Sequence, residues 1–134
     1  MPGEGKSGAG PGVDKCTLIA YYSWRNESAI EFLETGIFTK RIQEILADEE
    51  YSLLQADLIR KPDAGKLIPG GNGLRKLRWS VSGRGKRGGM RIIYYWYRDN
   101  RQLYMIYAFK KSEQADLSRD QLRILAQYVK SGVL

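Results

Sequence analysis

The chain has 134 residues, 43% hydrophobic and 28% charged, with a net charge of +7. That length suits one domain, usually about 100–200 residues, and no apolar run approaches the roughly 18 residues of a membrane span. Histidine is absent, which removes the commonest general acid–base residue and the commonest metal ligand together.

The single cysteine, Cys16, has no partner for an internal disulfide, which suits a reducing cytoplasm. A zinc site would have to rest almost wholly on carboxylates, so no metal or other cofactor is expected. Catalysis then falls to Lys, Arg, Tyr or carboxylates.

Residues 1–16 read as a flexible tail with five glycines and two prolines, and residues 17–134 as one domain. Met1–Val13 lacks the apolar stretch of a signal peptide. Gly5-Lys6-Ser7 looks like the end of a phosphate-binding loop, but neither the required upstream glycine nor a preceding strand is present.

Thr17–Trp24 has strand-like composition and Ala29–Glu34 alternates briefly, so one or both supply a first strand. Ile37, Phe38, Ile42, Ile45 and Leu46 recur at helical spacing. Asp48 is placed to cap a second helix, with Glu49 and Glu50 suited to its positive first turn. Tyr51, Leu54 and Leu58 continue the apolar stripe until Pro62, so the pair reads as a helical hairpin lying on a sheet.

Pro69-Gly70-Gly71-Asn72-Gly73 is a loop. Leu74–Trp79 follows as a strand, with Leu74, Lys76 and Arg78 on one face and Arg75, Leu77 and Trp79 on the other. Ser80–Gly89 is a basic, glycine-rich loop. Met90–Arg98 is the densest β-former run of the chain, and Leu103–Phe109 returns beside it after a turn at Asp99-Asn100. A last helix starts near Ser118, whose spacing to Gln121 fits a capping box, with Leu122, Leu125, Ala126 and Val129 on one face. Helices, then an antiparallel meander, then a helix make an α+β domain.

The positive charge is concentrated. Between Ala64 and Arg98 lie nine cations and no acid: Lys66, Arg75, Lys76, Arg78, Arg84, Lys86, Arg87, Arg91 and Arg98. The rest of the chain carries 13 basic and 15 acidic residues. A cluster of this kind is the footprint of a polyanion, usually nucleic acid. Tyr94, Tyr95, Trp96, Tyr97, Tyr104 and Tyr107 interleave with it and offer stacking surfaces, although a meander strand buries every second residue.

Three stretches carry a family resemblance. Ile68-Pro69-Gly70-Gly71-Asn72-Gly73-Leu74-Arg75-Lys76-Leu77-Arg78-Trp79 resembles the IPGTGGLRKLRW pattern of HigB-like toxins in the RelE/ParE superfamily. Gly83–Tyr95 is similar to GRGKRGGxRVIYY. Phe109-Lys110-Lys111-Ser112-Glu113, with Asp116-Leu117-Ser118, is similar to the family's F-x-K-x-E and D-L-[ST] ending. The segment before Ala29 lies outside the resemblance.

The resemblance implies a microbial RNase fold, with an antiparallel sheet of about four strands, an N-terminal helical hairpin and a C-terminal helix. It implies a toxin that cuts mRNA, usually in the ribosomal A site, and a cognate antitoxin that commonly carries a helix-turn-helix domain. Carried onto this sequence, the catalytic positions are Lys76, Arg78, Arg91 and Lys111, the last preferred to Lys110. Arg75, Arg84, Lys86, Arg87, Lys110 and Tyr95 are the expected RNA contacts. The family's C-terminal tyrosine has no match, since Tyr128 falls inside the last helix. Lys76 or Lys111 is then the candidate general base, the other protonating the leaving oxygen. Competing readings are a ParE-like gyrase poison, a non-catalytic nucleic-acid-binding module, and a decayed toxin that keeps only the fold.

Overall fold

The run densest in β-branched and aromatic residues becomes a strand at the middle of the sheet. In the computed structural model, residues 18–23, 30–80 and 89–133 are described. The glycine-rich segment 1–16 lies outside them, as do Arg84, Lys86 and Arg87.

In chain order the strands are β1 (Leu18–Ser23), β2 (Glu31–Thr35), β3 (Lys66–Leu67), β4 (Leu74–Trp79), β5 (Met90–Tyr97) and β6 (Gln102–Lys110). The helices are α1 (Gly36–Ile45), α2 (Asp48–Arg60) and α3 (Arg119–Tyr128). The sheet order is β1-β2-β6-β5-β4-β3. Both N-terminal candidates are therefore strands, and they pair antiparallel with each other. β4, β5 and β6 form the expected meander.

Two features go beyond the expected antiparallel sheet of about four strands. The sheet has six strands, and β2 runs parallel to β6, with Glu31 opposite Gln102 and Glu34 opposite Met105. A parallel neighbour needs a long crossover, and here α1 through β5 supply it.

Alternation along the strands divides the apolar residues between two layers. Phe38, Ile42, Leu46, Leu54 and Leu58 of the helical hairpin pack on Phe32, Met90, Ile92, Tyr94, Leu103 and Met105. On the other face Leu74, Ile93, Tyr104, Ile106 and Phe109 gather with Val129, flanked by Leu122 and Leu125 of α3. Full burial of one such side chain contributes about 1.5–3 kcal/mol.

Local chemistry sets the ends. Thr35 caps α1 by accepting from the Phe38 N–H at 3.0 Å, and its hydroxyl donates to the Ile106 carbonyl at 2.9 Å. Asp48 was the expected cap of α2, but Ala47 holds that position and makes no side-chain bond. Asp48 sits one residue later with Glu49 and Glu50, where all three complement the helix dipole. Lys61 leaves the helical region directly before Pro62, as the proline ring demands. Ser118 and Gln121 form a full capping box at α3. No helix among the described residues is long and apolar enough to cross a membrane.

Candidate functional site

The α3 face of the sheet is covered only in part, and the uncovered part is basic. Lys76 and Arg78 project from β4 on the same side as Leu74, as alternation requires. In the β4–β5 register Arg78 stands opposite Arg91. Arg78 is exposed, whereas Arg91 keeps only 8% of its surface. Burial, followed by the positive charge of Arg78, lowers the Arg91 pKa from its ordinary value, while Asp116 acts in the opposite sense. The Arg91 guanidinium donates to the Met90 carbonyl at 3.3 Å. Most of its donors are thus free of partners among the described residues, in a form suited to a planar oxyanion.

Two recesses meet at this arginine pair. The larger, about 520 Å³, is lined by Ala64, Lys66, Lys76, Leu77, Arg78, Arg91 and Ala115. The smaller, about 130 Å³, is lined by Arg78, Trp79, Ser80, Gly89, Arg91 and Lys111. Arg78 and Arg91 belong to both. Lys76 lies on one side of them and Lys111 on the other, so the four residues expected to be catalytic share one surface.

The turn that carries Lys111 is pinned from beneath. The Lys111 N–H donates to Gly89 at 3.1 Å, and the Lys110 N–H donates to the Glu113 carboxylate at 2.9 Å. Arg41 of α1 pairs with the same carboxylate and donates from Nε to the Ala108 carbonyl at 3.0 Å. The Lys110 N–H and Arg41 together outweigh burial and hold the Glu113 carboxyl below its usual range. Lys110 is exposed at this turn, beyond the smaller recess.

Arg75 and Tyr95 are placed apart from the cluster. Arg75 points to the opposite face, where it donates to the carbonyls of Gly65 (2.7 Å) and Asp63 (3.3 Å) and so braces the α2–β3 connection. Tyr95 packs in the second core with Tyr97 and Tyr104. Its ring lies so close to Gly73 (φ 101°) that a Cβ there would come within 2.7 Å.

Two contributors were not evident from sequence. Tyr94 is fully buried, and its hydroxyl accepts from the Gly65 N–H (2.8 Å) and donates to the Pro62 carbonyl (2.7 Å). It ties the wall of the larger recess to the core strand. Asp116 brings a carboxylate into the basic cluster, with both oxygens 2.9 Å from Lys76 Nζ. The hydrogen bond from Lys76 is the first cause of its lowered pKa, and Arg91 adds to it. Both residues sit in motifs quoted above, IIYY and D-L-S, but a motif does not say which way a side chain faces.

The family model for the RelE toxin of the RelE/RelB toxin–antitoxin system matches residues 37–133, well over half of the chain. The chain belongs to the RelE toxin family. The match runs from α1 to the C-terminal turn and takes in every residue of the basic cluster. β1 and β2 precede it. A RelE-family toxin works against a cognate antitoxin, so such a partner follows from membership.

Proposed function

We propose that this RelE-family toxin is an endoribonuclease that cuts mRNA on translating ribosomes and so arrests translation. The observation that carries the reading is the arginine pair Arg78–Arg91, shared by two recesses and flanked by Lys76 and Lys111.

Strand cleavage without a metal proceeds by attack of a ribose 2′-hydroxyl on the adjacent phosphate, leaving a 2′,3′-cyclic phosphate and a 5′-hydroxyl. Charge builds on the non-bridging oxygens, where the buried Arg91 and the exposed Arg78 opposite it donate hydrogen bonds. Preorganised donors of this kind are worth about 10²–10³ in rate each. Lys76 and Lys111 hold the strand from either side and supply the remaining positive charge. Lys110 and the loop cations Arg84, Lys86 and Arg87 extend the contact along the RNA backbone. The ribosome holds the message in place, which supplies orientation that a small open site lacks. A target on ribosomes sets the place of action in the cytoplasm.

The antitoxin in this reading carries a helix-turn-helix domain and covers the basic surface with an acidic segment, since charge complementarity steers such partners together.

The test adds purified protein to one defined mRNA, with and without translating ribosomes, and maps the RNA ends. Cuts that need ribosomes and vanish in Arg91→Ala support the reading. An intact message in both conditions shifts the reading to a ParE-like gyrase poison or a plain RNA-binding module.

A further inference from the structure

The cluster contains one carboxylate among its described residues, and its placement is constrained from several directions. Asp116 closes the turn before α3. Its carbonyl accepts from Gln114 Nε2 at 2.7 Å, and Gln114 in turn donates to Gln121 of the α3 capping box at 2.9 Å. One carboxylate oxygen accepts from the Leu117 N–H at 2.8 Å. Both oxygens receive Lys76 Nζ at 2.9 Å. The charged groups facing Asp116 are Lys76 of β4 and Arg91 of β5, which line the larger recess with Lys66 of β3, Arg78 of β4 and Ala115, the residue before Asp116.

In-line displacement at phosphorus needs a proton acceptor on the attacking side and a donor on the leaving side. The two recesses provide two sides. A phosphate held by Arg78 and Arg91 has the Lys76–Asp116 pair on one flank and Lys111 on the other. A lysine nitrogen donating to two carboxylate oxygens has no lone pair turned outward to receive a proton. The carboxylate does.

We propose that Asp116 is the general base of this site, with Lys76 as a phosphate ligand and Lys111 as the acid. The inference rests on the endoribonuclease reading above. Asp116 takes the 2′-hydroxyl proton as the 2′-oxygen bonds to phosphorus, the P–O5′ bond breaks, and Lys111 protonates the 5′-oxygen. One proton is gained and one lost, and solvent restores both groups. An arriving phosphate competes for the Lys76 donors. As the ammonium turns toward it, the carboxylate loses its strongest hydrogen bond and becomes a better base, so binding itself activates the acceptor.

The test compares wild type with Asp116→Asn and Asp116→Glu in single-turnover cleavage of mRNA on ribosomes, across pH, with thermal melting to confirm that each variant is folded. General base catalysis contributes about 10²–10⁴-fold. Asp116→Asn is therefore expected to lose about that much rate at unchanged KM, together with the acidic limb of the profile, and Asp116→Glu to regain part of both. On a message with a bridging 5′-sulfur, whose leaving group needs no proton, Asp116→Asn stays slow while Lys111→Ala recovers.

Cleavage by Asp116→Asn at the wild-type rate with an unchanged profile overturns the assignment. So does a change in KM alone, which marks a structural role, and so does faster cleavage with tighter binding, which marks a mere competing anion. Recovery of Asp116→Asn on the sulfur substrate overturns it as well, by moving Asp116 to the leaving side. If wild type cuts no message, the endoribonuclease reading falls and this assignment with it, an outcome visible before any variant is compared.

Discussion

Arg78 and Arg91 stand directly opposite each other across the β4–β5 ladder, two like charges at adjacent positions on one face. Such a pair opposes folding. An anion bound between the two relieves the repulsion. Replacement of either by glutamine should therefore raise thermal stability slightly while lowering cleavage about 10²–10³-fold, in line with loss of one preorganised donor. Inorganic sulfate should raise the melting temperature of wild type more than that of Arg91→Ala, the difference being the part due to the site rather than to the general salt effect. Denaturation curves read beside mRNA cleavage check both statements.

Binding to RNA should weaken steeply with salt. Each phosphate neutralised on a single strand contributes about −0.7 to the slope of log K against log salt, so four cations give about −3. Removing Lys76 or Lys111 should reduce the slope by about 0.7 each, whereas Arg75→Ala should leave it alone. Arg75 spends its guanidinium on the Gly65 and Asp63 carbonyls. Titration of a short RNA oligonucleotide at several salt concentrations separates Arg75→Ala from the two lysine variants.

Tyr94 should matter to stability out of proportion to its distance from the reacting phosphate. Tyr94→Phe keeps the ring and strands the Gly65 N–H and Pro62 carbonyl it served. An unsatisfied buried group costs about 1–3 kcal/mol. Gly65→Ala should cost a similar amount by another route, because its Cβ would meet the Tyr94 ring at 2.9 Å and the Lys76 backbone at 3.1 Å. Urea unfolding measures both.

The Arg41–Glu113 link should show in acid. Hydrogen bonding from Lys110 and Arg41 lowers the Glu113 pKa on folding. The stability it adds is fully present above the unfolded carboxylate pKa and is lost as pH falls through the lower, folded value. Asp116, lowered by Lys76, titrates in the same sense. Melting temperatures followed downward from neutral pH should decline less steeply in Glu113→Gln than in wild type. The same variant should also cut mRNA several-fold more slowly, since it loosens the turn that presents Lys111.

Much of this molecule was legible in its sequence, for identifiable reasons. The ends of Leu74–Trp79 are legible because alternation and a glycine-rich loop both mark it, and the Ser118–Gln121 box is a local bond written in local spacing. The basic face followed from the same alternation. What was not legible is what depends on distant residues. Nothing in Ala29–Glu34 says that it will lie parallel to a strand some 70 residues later. The Tyr94 hydroxyl finds its partners 29 and 32 residues away, and Asp116 reaches a lysine 40 residues back. Local pattern gives the direction of a side chain on its own strand, not what awaits it there. Asp48 failed as a cap for the opposite reason: one step in register turns a capping residue into a first-turn charge.

The parallel seam between β2 and β6 bears on when this protein comes into being. The meander β4–β5–β6 joins neighbours in the chain, but Glu31–Glu34 must wait for Gln102–Met105. Every other strand of the sheet is synthesised before that seam can close. Loop closure over such a span is slow and comes late. A partly made chain therefore has neither a finished sheet nor the Lys111–Asp116 turn beyond it. The Lys111–Asp116 turn follows the last strand, so the order of synthesis completes the strands of the sheet before it completes the site.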